Sequence, residues 1–153
     1  MTLFLGISLR EMVHKFKDKT LKLLKLILLE KRLLFFGHKV ESIASFQYGL
    51  VSLIPELFRH LEDVASPSLD WFDDYGGSRK GLNDAYKTKL KKLGHPLRIF
   101  GLGTFFQPYI PLQQMDLLLS PNTKSFITGT TNNLFVSHRG CKLDVIAHVN
   151  VFA

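Results

Sequence analysis

The chain has 153 residues, enough for one ordinary domain. Hydrophobic residues make up 46% and charged residues 22% of the sequence, a balance that excludes wholesale disorder. The formal net charge of +7 raises the question of an anionic partner, but an acidic stretch, 56–74, lies next to a basic stretch, 79–92. Because neighbouring segments of opposite sign partly neutralise each other, we interpret the basic residues as solvent-exposed helix faces and expect no nucleic-acid partner.

A single cysteine, Cys141, excludes an internal disulfide framework and favours a reducing compartment. The first residues have neither a basic run nor a small-residue cleavage site, so we expect no signal peptide. The most apolar stretch, 21–36, is interrupted by several charged side chains, so we also expect no transmembrane span.

The stretch 8–37, SLREMVHKFKDKTLKLLKLILLEKRLLFFG, predicts a long amphipathic helix that runs into a strand. Ser8 and Glu11 have the spacing of a capping box at the start of a helix. Apolar residues then recur at steps of three and four positions. We therefore expect one continuous helix over residues 9–30, roughly 33 Å long.

The end of that stretch is the most apolar part of the chain. Residues 26–29 place apolar groups all around the helix axis, which predicts a helix covered on more than one side in a layered structure. Residues 33–36 follow without polar alternation, as in a central strand buried on both faces, and Gly37 ends the strand.

A second helix is predicted over residues 41–54, and Pro55 ends it. Gly49 lowers its helix propensity and indicates close packing there. A short helical continuation is expected over 56–64. The buried side of the second helix is predicted to consist of Ile43, Phe46, Leu50, Leu53 and Ile54.

Turn and linker residues dominate the stretch 65–94, which predicts an exposed insert that includes a short basic helix over 84–93. A strand is expected over 97–100. Downstream we expect an extended edge segment over residues 104–110 and a helix over 112–119. A strand over 125–128, a short helix over 134–136 and a final strand over 143–152 are expected to follow. A turn over 129–132 is predicted to supply a helix cap from Thr131 or Asn132. This alternation predicts an α/β domain with a mainly parallel sheet.

The sequence carries no catalytic signature, so we expect no catalytic residue, no cofactor and no metal site. Cys141 has His138 nearby but lacks a third orienting group, which favours a structural cysteine. Three amides, Gln107, Gln113 and Gln114, lie close in sequence to Tyr109 beside prolines. Because amides do not titrate, this group suits a recognition surface better than acid–base chemistry.

Several segments resemble one known family. LKLILLEKRLLFFG resembles the hallmark of the central DENN subdomain, SIASFQYGLVSLIPEL its next helix, and FFQPYIPLQQMDLL its P-Y-(I/M)-P/A-L segment. SFITGTTNNLF resembles the G-A-T-N-x-L-F turn of the AVL-type branch, and GISLREMVHKFKDKTL is similar to the same branch. The resemblance covers residues 4–64 and 97–149.

The resemblance implies a layered α/β/α DENN-type lobe in which residues 4–153 form a single partial domain, the central subdomain, and 65–94 a variable insert. A complete DENN module also has an N-terminal longin-like lobe and further C-terminal helices, so we expect the chain to be a fragment of a module. The resemblance further implies vesicle transport and exocytosis in the late secretory pathway, in the cytoplasm at the periphery of Golgi or endosome membranes.

The partner implied by the resemblance is a Rab-family GTPase. DENN modules typically act as guanine nucleotide exchange factors, which bind the nucleotide-free GTPase better than the loaded form and perform no covalent catalysis. The alternative is a non-catalytic scaffold or a peripheral domain that binds anionic membranes through residues 87–92 and the exposed face of the first helix.

Overall fold

The computed structural model describes residues 9–55, 57–60 and 103–149. Four strands in these ranges form one sheet: β1 (Arg32–Phe36), β2 (Thr104–Gln107), β3 (Ser125–Thr130) and β4 (Val145–His148). Their spatial order is β2-β3-β1-β4, and all three neighbouring pairs are parallel. This confirms the predicted α/β class with a mainly parallel sheet, and it places β2 at an edge as expected.

The described ranges also contain the helices α1 (Leu9–Phe16), α2 (Asp18–Leu28), α3 (Val40–Ser52), α4 (Met115–Leu119) and α5 (Leu134–Ser137). Single 3-10 turns occur at Leu57–His60 and Leu112–Gln114. The second predicted helix is α3. The helix predicted over 112–119 begins as a 3-10 turn and becomes an α-helix at Met115.

Two apolar clusters lie on opposite faces of the sheet, because side chains alternate along each strand. Leu33 and Phe35 of β1 belong to the cluster under α2 and α3, whereas Leu34 belongs to the cluster under α4 and α5. All three side chains are at most 1% exposed. Since β1 lies between β3 and β4, the prediction of a central strand buried on both faces is confirmed, and the layers are α/β/α.

The prediction of one continuous helix over residues 9–30 is wrong, because the backbone bends at Lys17. Lys17 has φ 41° and ψ −118°, outside the helical region. Its amide donates to the carbonyl oxygen of Val13 at 2.8 Å and completes α1. Phe16 packs on Phe46 of α3, with ring centroids 4.9 Å apart. Because α1 and α2 both contact α3, the bend keeps the apolar sides of both helices on one core.

The expectation that α2 is covered on more than one side is also wrong. Ile27 is buried, but Leu28 and Leu29 are 38% and 54% exposed. Leu21, earlier on α2, is 66% exposed. The core therefore covers one side of α2, and apolar groups on its other side face solvent.

The last two strands differ in length from the predictions. β3 continues to Thr130 because Gly129 and Thr130 pair with Phe35 and Phe36 of β1, so part of the turn predicted over 129–132 is strand. The predicted final strand over 143–152 is shorter at its start. Leu143 donates from its backbone amide to the carbonyl oxygen of Cys141 at 2.9 Å, and this turn delays the strand to Val145.

Some predicted features lie outside the described residues and stay predictions. They are the capping residue Ser8, residues 56 and 61–64 of the helical continuation, the insert 65–94 with its basic helix 84–93, the strand 97–100, and the end of the final strand, 150–152.

Candidate functional site

The carboxyl ends of parallel strands lie along one edge of a sheet, where ligands of α/β proteins commonly bind. The loops that follow β2 and β3 meet at this edge. We call the surface formed by residues 107–114 and 131–134 the carboxyl-end surface. It contains the amides and the tyrosine that the sequence singled out for recognition.

Helix α3 holds the backbone of the loop after β2 in place. Gln47 of α3 is fully buried, and its Nε2 donates to the carbonyl oxygens of Pro108 at 2.7 Å and Ile43 at 3.2 Å. The amide of Ile110 donates to the carbonyl oxygen of Gly129 at 2.8 Å. A β-carbon on Gly129 would lie 2.5 Å from Gln47 Nε2 and 2.6 Å from the Pro108 oxygen. Only glycine therefore lets the loop, α3 and β3 approach so closely.

The loop is also tied to itself and to the loop after β3. Gln107 Nε2 donates to the carbonyl oxygen of Tyr109 at 3.0 Å and to the side-chain oxygen of Gln114. The Tyr109 hydroxyl lies 3.4 Å from Thr131 Oγ1, a contact in which either group can donate. Of the amides predicted for recognition, the structure brings Gln107 and Gln114 together, and Gln113 is exposed beside them.

The turn into α5 is held by two side-chain bonds. Thr130 Oγ1 accepts from the amide of Asn132 at 3.1 Å, and Asn132 Oδ1 accepts from the amide of Leu134 at 2.9 Å. Asn132 thus satisfies a free amide at the helix start, but the residue at the cap position is Asn133, whose side chain makes no capping hydrogen bond, so the predicted cap at Thr131 or Asn132 is wrong by at least one position.

The outward chemistry of the carboxyl-end surface is apolar and amidic. Leu112 and Leu134 are 42% and 54% exposed, and Gln113, Gln114 and Asn133 are exposed beside them. Residues 107–114 and 131–134 include no charged side chain. Such a surface can bury leucines and exchange hydrogen bonds with a partner, but it offers no group for proton transfer.

An aromatic cluster lies at the same edge of the sheet, at the carboxyl ends of β1 and β4. The Phe36 ring lies 5.5 Å from the ring of His148 and 6.4 Å from that of His38, both in edge-on geometry. Both imidazoles are exposed. Residues 9–55, 57–60 and 103–149 contain no group of three His, Cys, Asp or Glu side chains placed to hold a metal ion.

Cys141 lies in the apolar cluster under α4 and α5 and is 8% exposed. Burial raises the pKa of its thiol, which disfavours the reactive thiolate. His138 Nδ1 accepts a hydrogen bond from the amide of Gly140 at 3.1 Å, so this nitrogen serves the local turn. The arrangement favours the structural interpretation of the cysteine.

Arg32 forms a polar cluster at the amino end of the sheet, a role that the sequence analysis did not predict. Its Nε donates to the carbonyl oxygen of Lys124 at 3.0 Å, and its Nη2 to that of Thr123 at 3.2 Å. Its backbone amide donates to Asp144 Oδ2 at 2.8 Å. Arg32 therefore joins the entries to β1, β3 and β4. Gln47 was missed as well, although its signal was present: it is a polar residue on the apolar side of α3.

Comparison with known proteins places the chain in a family. Residues 1–152 match the family described as transport protein Avl9. The late secretory pathway protein AVL9 of Saccharomyces cerevisiae is 41% identical over 142 residues, which are 90% of this chain and 18% of that protein. The late secretory pathway protein avl9 of Schizosaccharomyces pombe is 37% identical over 143 residues, 93% of this chain and 30% of that protein.

The chain thus spans less than a third of the length of these relatives. None of the described helices is both long enough and apolar enough to cross a bilayer. The family match covers nearly the whole sequence, including the loops that build the carboxyl-end surface. The chain belongs to the Avl9 family of transport proteins.

Proposed function

We propose that this chain acts in vesicle transport of the late secretory pathway, as part of a DENN-type module that binds a Rab-family GTPase. The names of two relatives and the family description support the pathway. The segments that resemble the central DENN subdomain support the module. We further propose that the protein works at the cytoplasmic surface of Golgi or endosome membranes, where vesicles for exocytosis form.

The observation that carries the proposal is the carboxyl-end surface. Leu112 and Leu134 are exposed on loops whose backbones are held by Gln47 and Asn132. Exposed apolar anchors on a fixed backbone, ringed by amides, favour binding to another protein, because little ordering entropy is lost on association.

The proposed action requires no covalent chemistry by this chain. An exchange factor binds the nucleotide-free GTPase more tightly than the loaded form, and this difference in affinity shifts the GTPase toward nucleotide release. An uncharged surface is compatible with that role, since the work is done by differential binding and not by proton transfer.

The test is binding of the full chain to a panel of Rab GTPases in nucleotide-free, GDP-bound and GTP-analogue-bound forms. We expect at least one GTPase to bind, with preference for the nucleotide-free form. Leu112→Glu and Leu134→Glu should each weaken that binding by about tenfold or more, because each places a charge in an apolar contact. Val13→Glu is the matched control, since Val13 is 44% exposed on α1 and does not belong to the carboxyl-end surface.

Different results would separate the alternatives. Binding without preference for a nucleotide state would remove the exchange role and leave a scaffold. Absence of binding across the panel, in a chain shown to be folded, would contradict the GTPase partner. Equal weakening by Val13→Glu would contradict the assignment of the surface.

A further inference from the structure

The solvent side of α2 carries an unusual mixture of residues. At helical spacing it presents three leucines, two lysines and one aspartate, and all of them are exposed. We call this set the outer α2 face: Asp18, Leu21, Lys22, Lys25, Leu28 and Leu29. It lies opposite the buried side of the same helix, where Thr20 and Ile27 are 1% and 3% exposed.

The leucines of this face are the part that a simple solvated helix does not explain. Leu21 is 66% exposed and Leu29 is 54% exposed. The solvent side of a surface helix is ordinarily charged or polar, because exposed apolar groups gain nothing from folding. Several large apolar groups on one outward side therefore indicate contact with something apolar outside this lobe.

The charged residues on and around the outer α2 face limit which kind of partner can bind there. Residues 9–31 contain seven lysine or arginine residues and three acidic residues. Lys22 and Lys25 lie between the leucines, and Lys19, Glu30 and Lys31 are exposed nearby in sequence. Asp18, at the first turn of α2, is the one acid on the face. The surface is thus apolar and cationic together.

We propose that the outer α2 face binds the headgroup region of an anionic membrane. Leucines enter the boundary between headgroups and acyl chains, and lysines remain at the level of lipid phosphates, as in helices that lie in the plane of a membrane. A second copy of the chain fits less well, because a two-fold contact through this face would bring four lysines together with only two aspartates.

This inference rests on the peripheral membrane location proposed above, and it is independent of GTPase binding. The outer α2 face belongs to the first predicted helix, whose exposed face the sequence suggested for membrane binding, whereas residues 87–92 lie outside the described residues and stay a prediction. The proposal also defines which side of the lobe faces the membrane. α2 lies on the α3 face of the sheet, so a membrane there leaves the carboxyl-end loops at the sheet edge free for a protein.

The test is flotation of the full chain with vesicles of phosphatidylcholine alone or of phosphatidylcholine with phosphatidylserine. We expect the chain to float with the anionic vesicles only, and added salt to weaken the binding. Lys22→Glu/Lys25→Glu should reduce partitioning by about tenfold or more. Leu21→Ser/Leu29→Ser should reduce it at unchanged charge.

The matched control is Arg139→Glu/Lys142→Glu, which makes the same change of charge at exposed positions beside Cys141, on the other face of the sheet. It should retain most of the binding. Circular dichroism of each variant establishes that it is folded. Equal loss in the control, or no binding of the wild-type chain to anionic vesicles, would overturn the inference.

Sedimentation analysis tests a second copy of the chain as the occupant. A dimer that Leu21→Ser/Leu29→Ser dissociates would assign the face to a second copy and would also overturn the inference. GTPase binding that survives in the lysine variant, with membrane binding lost, is the result expected if the two surfaces are separate.

Discussion

Gln47 donates from its side-chain amide to the carbonyl oxygen of Pro108, 2.7 Å away, and thereby joins α3 to the loop after β2. The same nitrogen donates to the Ile43 carbonyl, whereas the buried Gln47 Oε1 has no hydrogen-bond partner among the described residues. Gln47→Met removes two hydrogen bonds but also removes this unpaired oxygen, so the opposing effects should leave a net loss of about 1 kcal/mol in the free energy of unfolding.

Gln47→Glu should cost more than Gln47→Met. A buried carboxylate would face the carbonyl oxygens of Pro108 and Ile43, which cannot donate, so the group must either protonate or remain unpaired. Urea denaturation of both variants, with the exposed Gln113→Met as control, measures the order. Gln113→Met should stay within about 0.5 kcal/mol of wild type. A Glu variant as stable as the Met variant would contradict the geometry of the clamp.

Gly129→Ala should destabilise the chain by about 1–3 kcal/mol, because overpacking forces backbone to shift. The new β-carbon would overlap Ile43 Cγ2 and would lie 2.6 Å from the Pro108 carbonyl oxygen. Gly49→Ala is the milder control: its nearest neighbour is Sδ of the buried Met12 side chain at 3.1 Å, which must shift by a few tenths of an ångström. Alanine there also gains about 1 kcal/mol of helix propensity, which offsets that shift, so the loss of stability should be smaller than at Gly129. Equal effects at the two sites would show that Gly129 is not confined.

Glu30→Gly should stabilise the chain by about 1 kcal/mol. Glu30 has φ 51°, a conformation that glycine adopts without strain. It ends α2 in a Schellman motif, in which the Glu30 amide donates to the Ile27 carbonyl at 3.0 Å and the Lys31 amide to the Leu26 carbonyl at 3.1 Å. The melting temperature measures the gain.

Two controls separate the backbone effect of Glu30→Gly from other effects. Glu30→Gln removes the charge but keeps the β-carbon that strains the backbone at this φ, so it should change stability little. Lys22→Gly introduces glycine at an exposed position inside α2, where φ is helical, and should destabilise by about 1 kcal/mol. A stabilising Lys22→Gly or a neutral Glu30→Gly would refute the assignment of strain.

Local sequence patterns predicted those features that depend on neighbouring residues. The apolar run over 33–36 predicted a strand buried on both faces, because only a central strand of a parallel sheet lacks polar alternation. The turn before α5 was predicted for a similar reason, since a short amide side chain after a strand suits a helix start, although the cap position itself is Asn133. Repeated strand–helix alternation then predicted the parallel sheet.

Contacts between segments that are distant in sequence could not be predicted from local sequence patterns. The apolar periodicity over residues 9–30 fits a straight helix, and the bend at Lys17 follows from packing both halves on α3. In the sequence, Arg32 simply follows two other charged residues, yet its hydrogen bonds join chain segments about a hundred residues apart. The carboxyl-end surface was predicted only as a group of amides, because the clamp from Gln47 depends on where α3 crosses the sheet.

Cys141 offers a pH-dependent prediction because it is the only thiol of the chain. Burial raises the pKa of this thiol in the folded state above its ordinary value, so the folded chain holds the proton to higher pH than the unfolded chain does. The stability contributed by this difference is fully present below the ordinary pKa of a thiol. It is lost as the pH rises through the folded-state pKa, because the unfolded chain then binds fewer protons.

Cys141→Ala should therefore lessen the loss of stability between about pH 8 and pH 10, the range in which an ordinary thiol titrates. Urea denaturation of wild type and variant across that range measures the difference in slope, and the two should run parallel below it. In the wild-type chain, a thiol-specific alkylating reagent at neutral pH should react slowly until urea unfolds the protein, since the thiolate is the reactive species and Cys141 is 8% exposed. Rapid alkylation of the folded chain, or identical alkaline slopes, would show that Cys141 is accessible and that its apolar cluster opens.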